Sequence, residues 1–126
     1  MIRITEKPIQ WVLDHFTKVN GGNKKVKCNG NEYWVKQNSH RYILFKEKGL
    51  TCVTCGKTAN KCYLEYTPGV EITSPHFNFY YVEKGCRDLL FTKDHIIPKA
   101  LKGKDRQDNY QVMCQKCNCI KGDQLQ

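Results

Sequence analysis

The sequence predicts an α+β fold, one compact unit braced by a four-cysteine zinc site and carrying an N-terminal helical and hairpin elaboration. Three observations lead there: two Cys-x-x-Cys pairs, Cys52/Cys55 and Cys114/Cys117; apolar residues at helical spacing near the N-terminus; and a strand-period row, Phe77, Phe79 and Tyr81. At 126 residues the chain is about one domain. A domain of this size buries only about two-thirds of its unfolded surface, so a metal staple adds materially to a modest core.

Taken in order, residues 5–18 read as an amphipathic helix, with Thr5 as cap, Pro8 in the first turn, and Ile9, Val12, Leu13 and Phe16 on one face. Asn20 to Lys25 is turn-like and basic, and residues 26–35 fit a hairpin around Asn29-Gly30. Ser39 suits the N-cap of a second helix, His40 to Lys48, which Gly49 ends. Downstream, residues 77–82 form a strand, Glu83-Lys84-Gly85 turns, and residues 88–92 return towards Asp94-His95. The division expected is 1–49 for the basic elaboration and 50–126 for the zinc-braced core. Trp34 and the Phe77, Phe79, Tyr81 row are expected to be core, since a small domain has few other large side chains to bury.

No apolar run reaches the length of a membrane span, and Met1 to Pro8 lacks the apolar stretch of a secretory signal, which points to a cytoplasmic, reducing setting without membrane contact. Eight cysteines there favour metal over disulfides. Two thiolate pairs on tight turns complete a tetrahedral Cys₄ site, Cys52, Cys55, Cys114 and Cys117, whose closed coordination suits structural Zn²⁺ rather than chemistry. Cys28, Cys62, Cys86 and Cys119 have no such spacing and read as small apolar residues. His15, His40 and His76 read as surface or hydrogen-bonded residues.

Twenty-one Lys/Arg against 12 Asp/Glu leave the chain at +9, which favours a polyanionic partner. Lys99, Lys102, Lys104 and Arg106 crowd one segment, and Lys116 and Lys121 flank Asn118; all six are candidate phosphate contacts. Lys24, Lys25, Lys27, Lys36, Arg41, Lys46 and Lys48 could extend that basic track through the N-terminal half.

The chemistry concentrates in Asp94-His95-Ile96-Ile97-Pro98, then Asp108-Asn109-Tyr110, then Cys117-Asn118-Cys119-Ile120-Lys121-Gly122-Asp123. A cutter of phosphodiesters needs a base, a hard-metal site and a rigid scaffold, and these residue types supply all three. Over about residues 50–123 the pattern resembles the HNH endonuclease family. Two local departures are Ala100-Leu101-Lys102-Gly103-Lys104, where many relatives carry a small residue and a double glycine after the proline, and Asn118, where many carry His.

The resemblance implies a ββα-metal finger, with Asp94-His95 on the first strand, Lys99 to Asp108 as loop, Asn109 to Met113 as second strand and Asn118 on the helix. It implies that His95 is the general base, that Asp94 and Asn118 hold a catalytic Mg²⁺ or Mn²⁺, and that Asn109 holds the loop and orients His95. The products implied are a 5′-phosphate and a 3′-hydroxyl, from DNA or from RNA. The expected setting is the cytoplasm of a bacterial or phage-infected cell, as for stand-alone phage or mobile-element nucleases. The protein would be a monomer or weak dimer, with a protein partner possible for targeting. The alternative is a zinc-stabilised nucleic-acid-binding or regulatory protein that does not cut.

Overall fold

A computed structural model describes residues 1–69 and 75–124. It contains seven strands, three α-helices and two 3₁₀ turns among those residues. β1 (Ile2–Glu6), β4 (Lys61–Tyr66), β5 (His76–Tyr81), β6 (Leu89–His95) and β7 (Tyr110–Cys114) lie side by side in that order as an antiparallel sheet. β2 (Asn23–Cys28) and β3 (Asn31–Lys36) form a separate hairpin. The helices are α1 (Ile9–His15), α2 (His40–Lys48) and α3 (Gln115–Lys121).

The N-terminus departs from the expected helix. Residues 2–6 pair with β4, and the helix starts only after Pro8, which stands at its N-cap in an extended conformation. Ile2, Ile4 and Thr5 are β-branched and stiff in χ1, so a free sheet edge claims them, while the apolar stripe of Val12, Leu13 and Phe16 remains helical or closes the helix end. The hairpin follows its turn chemistry: Asn29 and Gly30 both take positive φ, the geometry of a tight two-residue connection. α2 begins and ends where its caps stand, with Ser39 Oγ accepting from the Arg41 N–H at 3.2 Å and Gly49 at φ +84°.

One apolar cluster runs from Val12, Phe16 and Val26 through Tyr42, Leu44 and Phe45 to Phe77, Phe79, Phe91 and Met113. Phe77 packs edge-on against Phe16, and Phe79 against Phe45, with ring centroids 4.9 and 5.2 Å apart. The N-terminal half and the motif-bearing half therefore share a core. Trp34 is a correction to the sequence expectation, since it is 51% exposed with Lys25 Nζ over its ring. The hairpin turns its other face inward, through Val26 and Val35. Of the four cysteines outside the paired motifs, only Cys62 is buried, while Cys86 and Cys119 are exposed.

β6 serves two neighbours along its length. Leu89 and Leu90 pair with β5, whereas Phe91 to His95 pair with β7. That switch presents the end of the strand, Asp94-His95, beside β7 and the helix that follows it.

Candidate active site

The four paired-motif cysteines converge. The first pair sits on a tight turn closed by Gly56 N–H to Cys52 O and Cys52 N–H to Lys57 O, with Gly56 at φ +78°. Val53 N–H donates to Val112 O at 3.0 Å and docks this turn on β7. The second pair spans the end of β7 and the first turn of α3, where Cys114 Sγ accepts from the Cys117 N–H. All four Sγ atoms lie within 4.8 Å of one another, and Cys55 and Cys114 are 3.8 Å apart. Zn–S bonds of about 2.3 Å in a tetrahedron require S···S separations of about 3.8 Å, so the donor set fits a Cys₄ zinc site.

Burial and the neighbouring thiols push the Cys117 thiol up to about 12 and raise that of Cys114. Cys52 is pushed up by burial but brought down to about 6 by backbone hydrogen bonds from Cys55, Cys114 and Thr54. A thiol cluster so divided becomes four thiolates when a cation binds it.

Next to this frame, Asp94, His95 and Asn118 line one cleft of about 270 Å³, together with Lys93, Lys99 and Lys121. β6 supplies Asp94 and His95, and α3 supplies Asn118. Asp94 is buried, and its Oδ2 accepts from Lys121 Nζ at 3.0 Å and from Gln111 Nε2 at 2.9 Å. Oδ1 has no protein donor among the described residues. Asn118 donates from Nδ2 to Thr92 Oγ1 at 3.0 Å, which leaves its carbonyl oxygen for another contact. A carboxylate and an amide oxygen in an open cleft fit a hard ion that keeps several waters, such as Mg²⁺ or Mn²⁺.

His95 meets a residue that the sequence did not single out. Its Nε2 lies 2.7 Å from Asp105 Oδ1, and Lys99 Nζ pairs with the other oxygen at 3.0 Å. His95 and Lys99 together hold the Asp105 carboxyl below the usual carboxylate range. Tyr110 packs edge-on against the imidazole, 5.2 Å between centroids. Because an ionised carboxylate only accepts, Nε2 carries the hydrogen and the neutral ring keeps its lone pair on Nδ1. Asp105 stands ten residues beyond His95 in the loop, and its neighbours Lys104 and Arg106 make it look like one charge in a solvated run.

Asn109 ends the 3₁₀ turn Gln107–Asn109 just before β7 rather than opening the strand. Its side chain is a loop clamp: Oδ1 accepts from Ile97 N–H at 2.9 Å, and Nδ2 donates to Ile97 O and Lys104 O. Its main-chain oxygen accepts from Ile96 N–H. The non-glycine stretch after Pro98 is accommodated as a 3₁₀ turn, Lys99–Leu101, with Lys102 at φ +67° before Gly103.

The six basic candidates separate. Lys99, Lys102, Lys104 and Arg106 are exposed on the loop, Lys99 lining the cleft and Arg106 pairing with Asp108. Lys116 faces a different cavity, beside Cys55 and Cys117. Lys121 leaves the surface set altogether: it is 4% exposed and binds Asp94 and the His95 carbonyl, because α3 packs that side against β6.

Residues 80–126 match the family model described as HNH endonuclease. No curated protein and no solved structure matches the chain. The match covers β6, the loop, β7 and α3, and so includes Asp94, His95, Asn109 and Asn118 with the second cysteine pair. The first pair, α1, α2 and the β2–β3 hairpin lie outside it.

Proposed function

We propose, from the match of residues 80–126 to the family model described as HNH endonuclease, that this protein is a zinc-braced, Mg²⁺- or Mn²⁺-dependent endonuclease that hydrolyses DNA phosphodiester bonds. One observation carries the proposal: His95, Asp94 and Asn118 line a single cleft, with the imidazole oriented by Asp105 and the loop clamped by Asn109. Separate groups in mutually consistent roles distinguish a reaction centre from a hydrogen-bonded strand end.

His95 takes a proton from the attacking water through Nδ1, while Nε2 stays fixed on Asp105. Asp105 remains ionised throughout and stabilises the imidazolium as it forms. Asp94 and Asn118 would hold the hard ion, which would supply neutralisation of the charge that develops on the phosphate in the transition state. Lys121 and Gln111 fix the Asp94 carboxylate in place. Cleavage leaves a 5′-phosphate and a 3′-hydroxyl. The four cysteines would hold Zn²⁺ as scaffold, joining the turn after α2 to the start of α3.

Supercoiled plasmid incubated with zinc-loaded protein and Mg²⁺ tests this directly. Wild type is expected to nick or linearise it. His95→Ala should lower the rate by about 100-fold or more with folding and zinc content unchanged, and Asp105→Asn by about tenfold. Equal cleavage by His95→Ala would remove His95 as the base, and a zinc-loaded wild type that binds DNA without cutting it would leave a non-catalytic binding module.

A further inference from the structure

A second cleft adjoins the candidate active site, and most of it comes from outside the matched segment. It measures about 540 Å³ and is lined by Lys36 at the end of β3, His40 and Arg41 on α2, His76 at the start of β5, and Thr92 and Lys93 on β6. No carboxylate is among its described lining residues. Lys93 also lines the cleft that holds Asp94 and His95, so the two spaces share a wall.

That wall is built around Tyr110. Its ring lies edge-on to His95, carries Lys93 Nζ 4.3 Å from its centroid, and its hydroxyl is 3.4 Å from His40 Nδ1. Gln107 adds a contact to the His40 carbonyl. α2 is therefore tied to the strand pair that carries the reaction residues.

The charges in this cleft are underused within the protein. Arg41 spends Nη2 on Phe77 O at 2.7 Å, but its buried Nε has no acceptor among the described residues. Lys36 and Lys93 are in no ion pair among those residues. The pKa of His76 is lowered first by burial and then by Arg41 and Lys36. The part of that shift due to Arg41 and Lys36 reports a positive potential that an anion would relieve. A cleft lined by Lys36, Arg41 and Lys93 with no carboxylate among its described lining residues suits an anionic ligand.

We propose that this cleft binds the substrate's phosphodiester backbone beside the scissile phosphate, with Lys36, Arg41 and Lys93 as the phosphate-contacting groups. The proposal rests on the nuclease reading for the identity of the ligand, but not for its chemistry. The N-terminal half then serves as a substrate clamp, and the register between clamp and cut is set by Tyr110.

The test is binding of a fluorescent DNA duplex, and of an RNA duplex of the same sequence, to zinc-loaded protein without Mg²⁺ across a salt series. Lys36→Glu reverses an exposed charge and should weaken binding roughly tenfold or more, with the salt slope reduced by at least about 1 because one phosphate is no longer neutralised. Arg41→Gln should act in the same direction, its folding checked by thermal melting. With Mg²⁺ and wild-type cleavage as reference, Lys36→Glu should raise KM and leave kcat within about twofold, since phosphate contacts position rather than react. Unchanged affinity, salt slope and KM in Lys36→Glu would overturn the clamp while leaving the nuclease standing. Weakened binding in a protein that never cuts would keep the clamp and remove the nuclease.

Discussion

Lys121 shows how far a residue's role can depart from its type. In sequence it is one more lysine beside Asn118; in the fold its ammonium is enclosed, bonded to Asp94 and to the carbonyl of His95. Two buried opposite charges are costly to separate, because removing one leaves the other unpaired in a low-dielectric site. Lys121→Met is therefore expected to destabilise the protein by about 3 kcal/mol, measured by chemical denaturation. The salt slope of DNA binding should not change, as it would for a phosphate contact. A stable variant with a reduced slope would return Lys121 to the nucleic-acid surface. His95, Asp94, Asn109 and Asn118 were singled out through the family resemblance that their types and order carry. Asp105 was not, since a carboxylate among lysines gives no signal until the loop folds back onto the imidazole.

Among the elements, the loop between β6 and β7 decides whether the proposed reaction residues are held in register. Pro98 O accepts from both Leu101 and Gly103 N–H, and a methyl group on Gly103 would overlap the carbonyl of Ile97. Gly103→Ala is expected to displace the loop that carries Asp105, lowering cleavage by about tenfold or more, while the melting temperature falls only slightly because the loop lies outside the core. A crystal structure with loop and activity unchanged would refute this. Element boundaries followed local chemistry where caps and turns were strong, at Ser39, Gly49 and Asn29-Gly30. They failed at residues 2–6, where the partner strand β4 lies some sixty residues away and no local pattern announces it.

For the whole molecule, the four cysteines join segments that are far apart in sequence, from the turn after α2 to the start of α3. Removing Zn²⁺ from such a site should cost the protein roughly 15 °C or more in Tm. The pH dependence has a definite sign. Cys114 and Cys117 have raised thiol pKa values, Cys117 about 12, so at neutral pH both hold their protons until metal binds. Binding expels at least those two, and protons therefore compete with metal: affinity should fall at least about 100-fold for each unit the pH drops towards 6. A chelator competition at pH 6.5 and 7.5 measures this, and a pH-independent affinity would show that the thiols are not the ligands. Among the described residues, no helix is long and apolar enough to cross a membrane.

By itself the sequence determined the paired cysteine turns, the capped helix His40–Lys48 and the hairpin turn, because each depends on neighbours within a few positions. Tertiary structure alone decided the rest. Strand β1 found its partner, Asp105 reached His95, Lys121 was enclosed with Asp94, Trp34 was left facing water, and β3, α2 and β6 assembled one cationic cleft. Each of those outcomes depends on which distant surfaces meet, and a chain's local preferences carry little information about that.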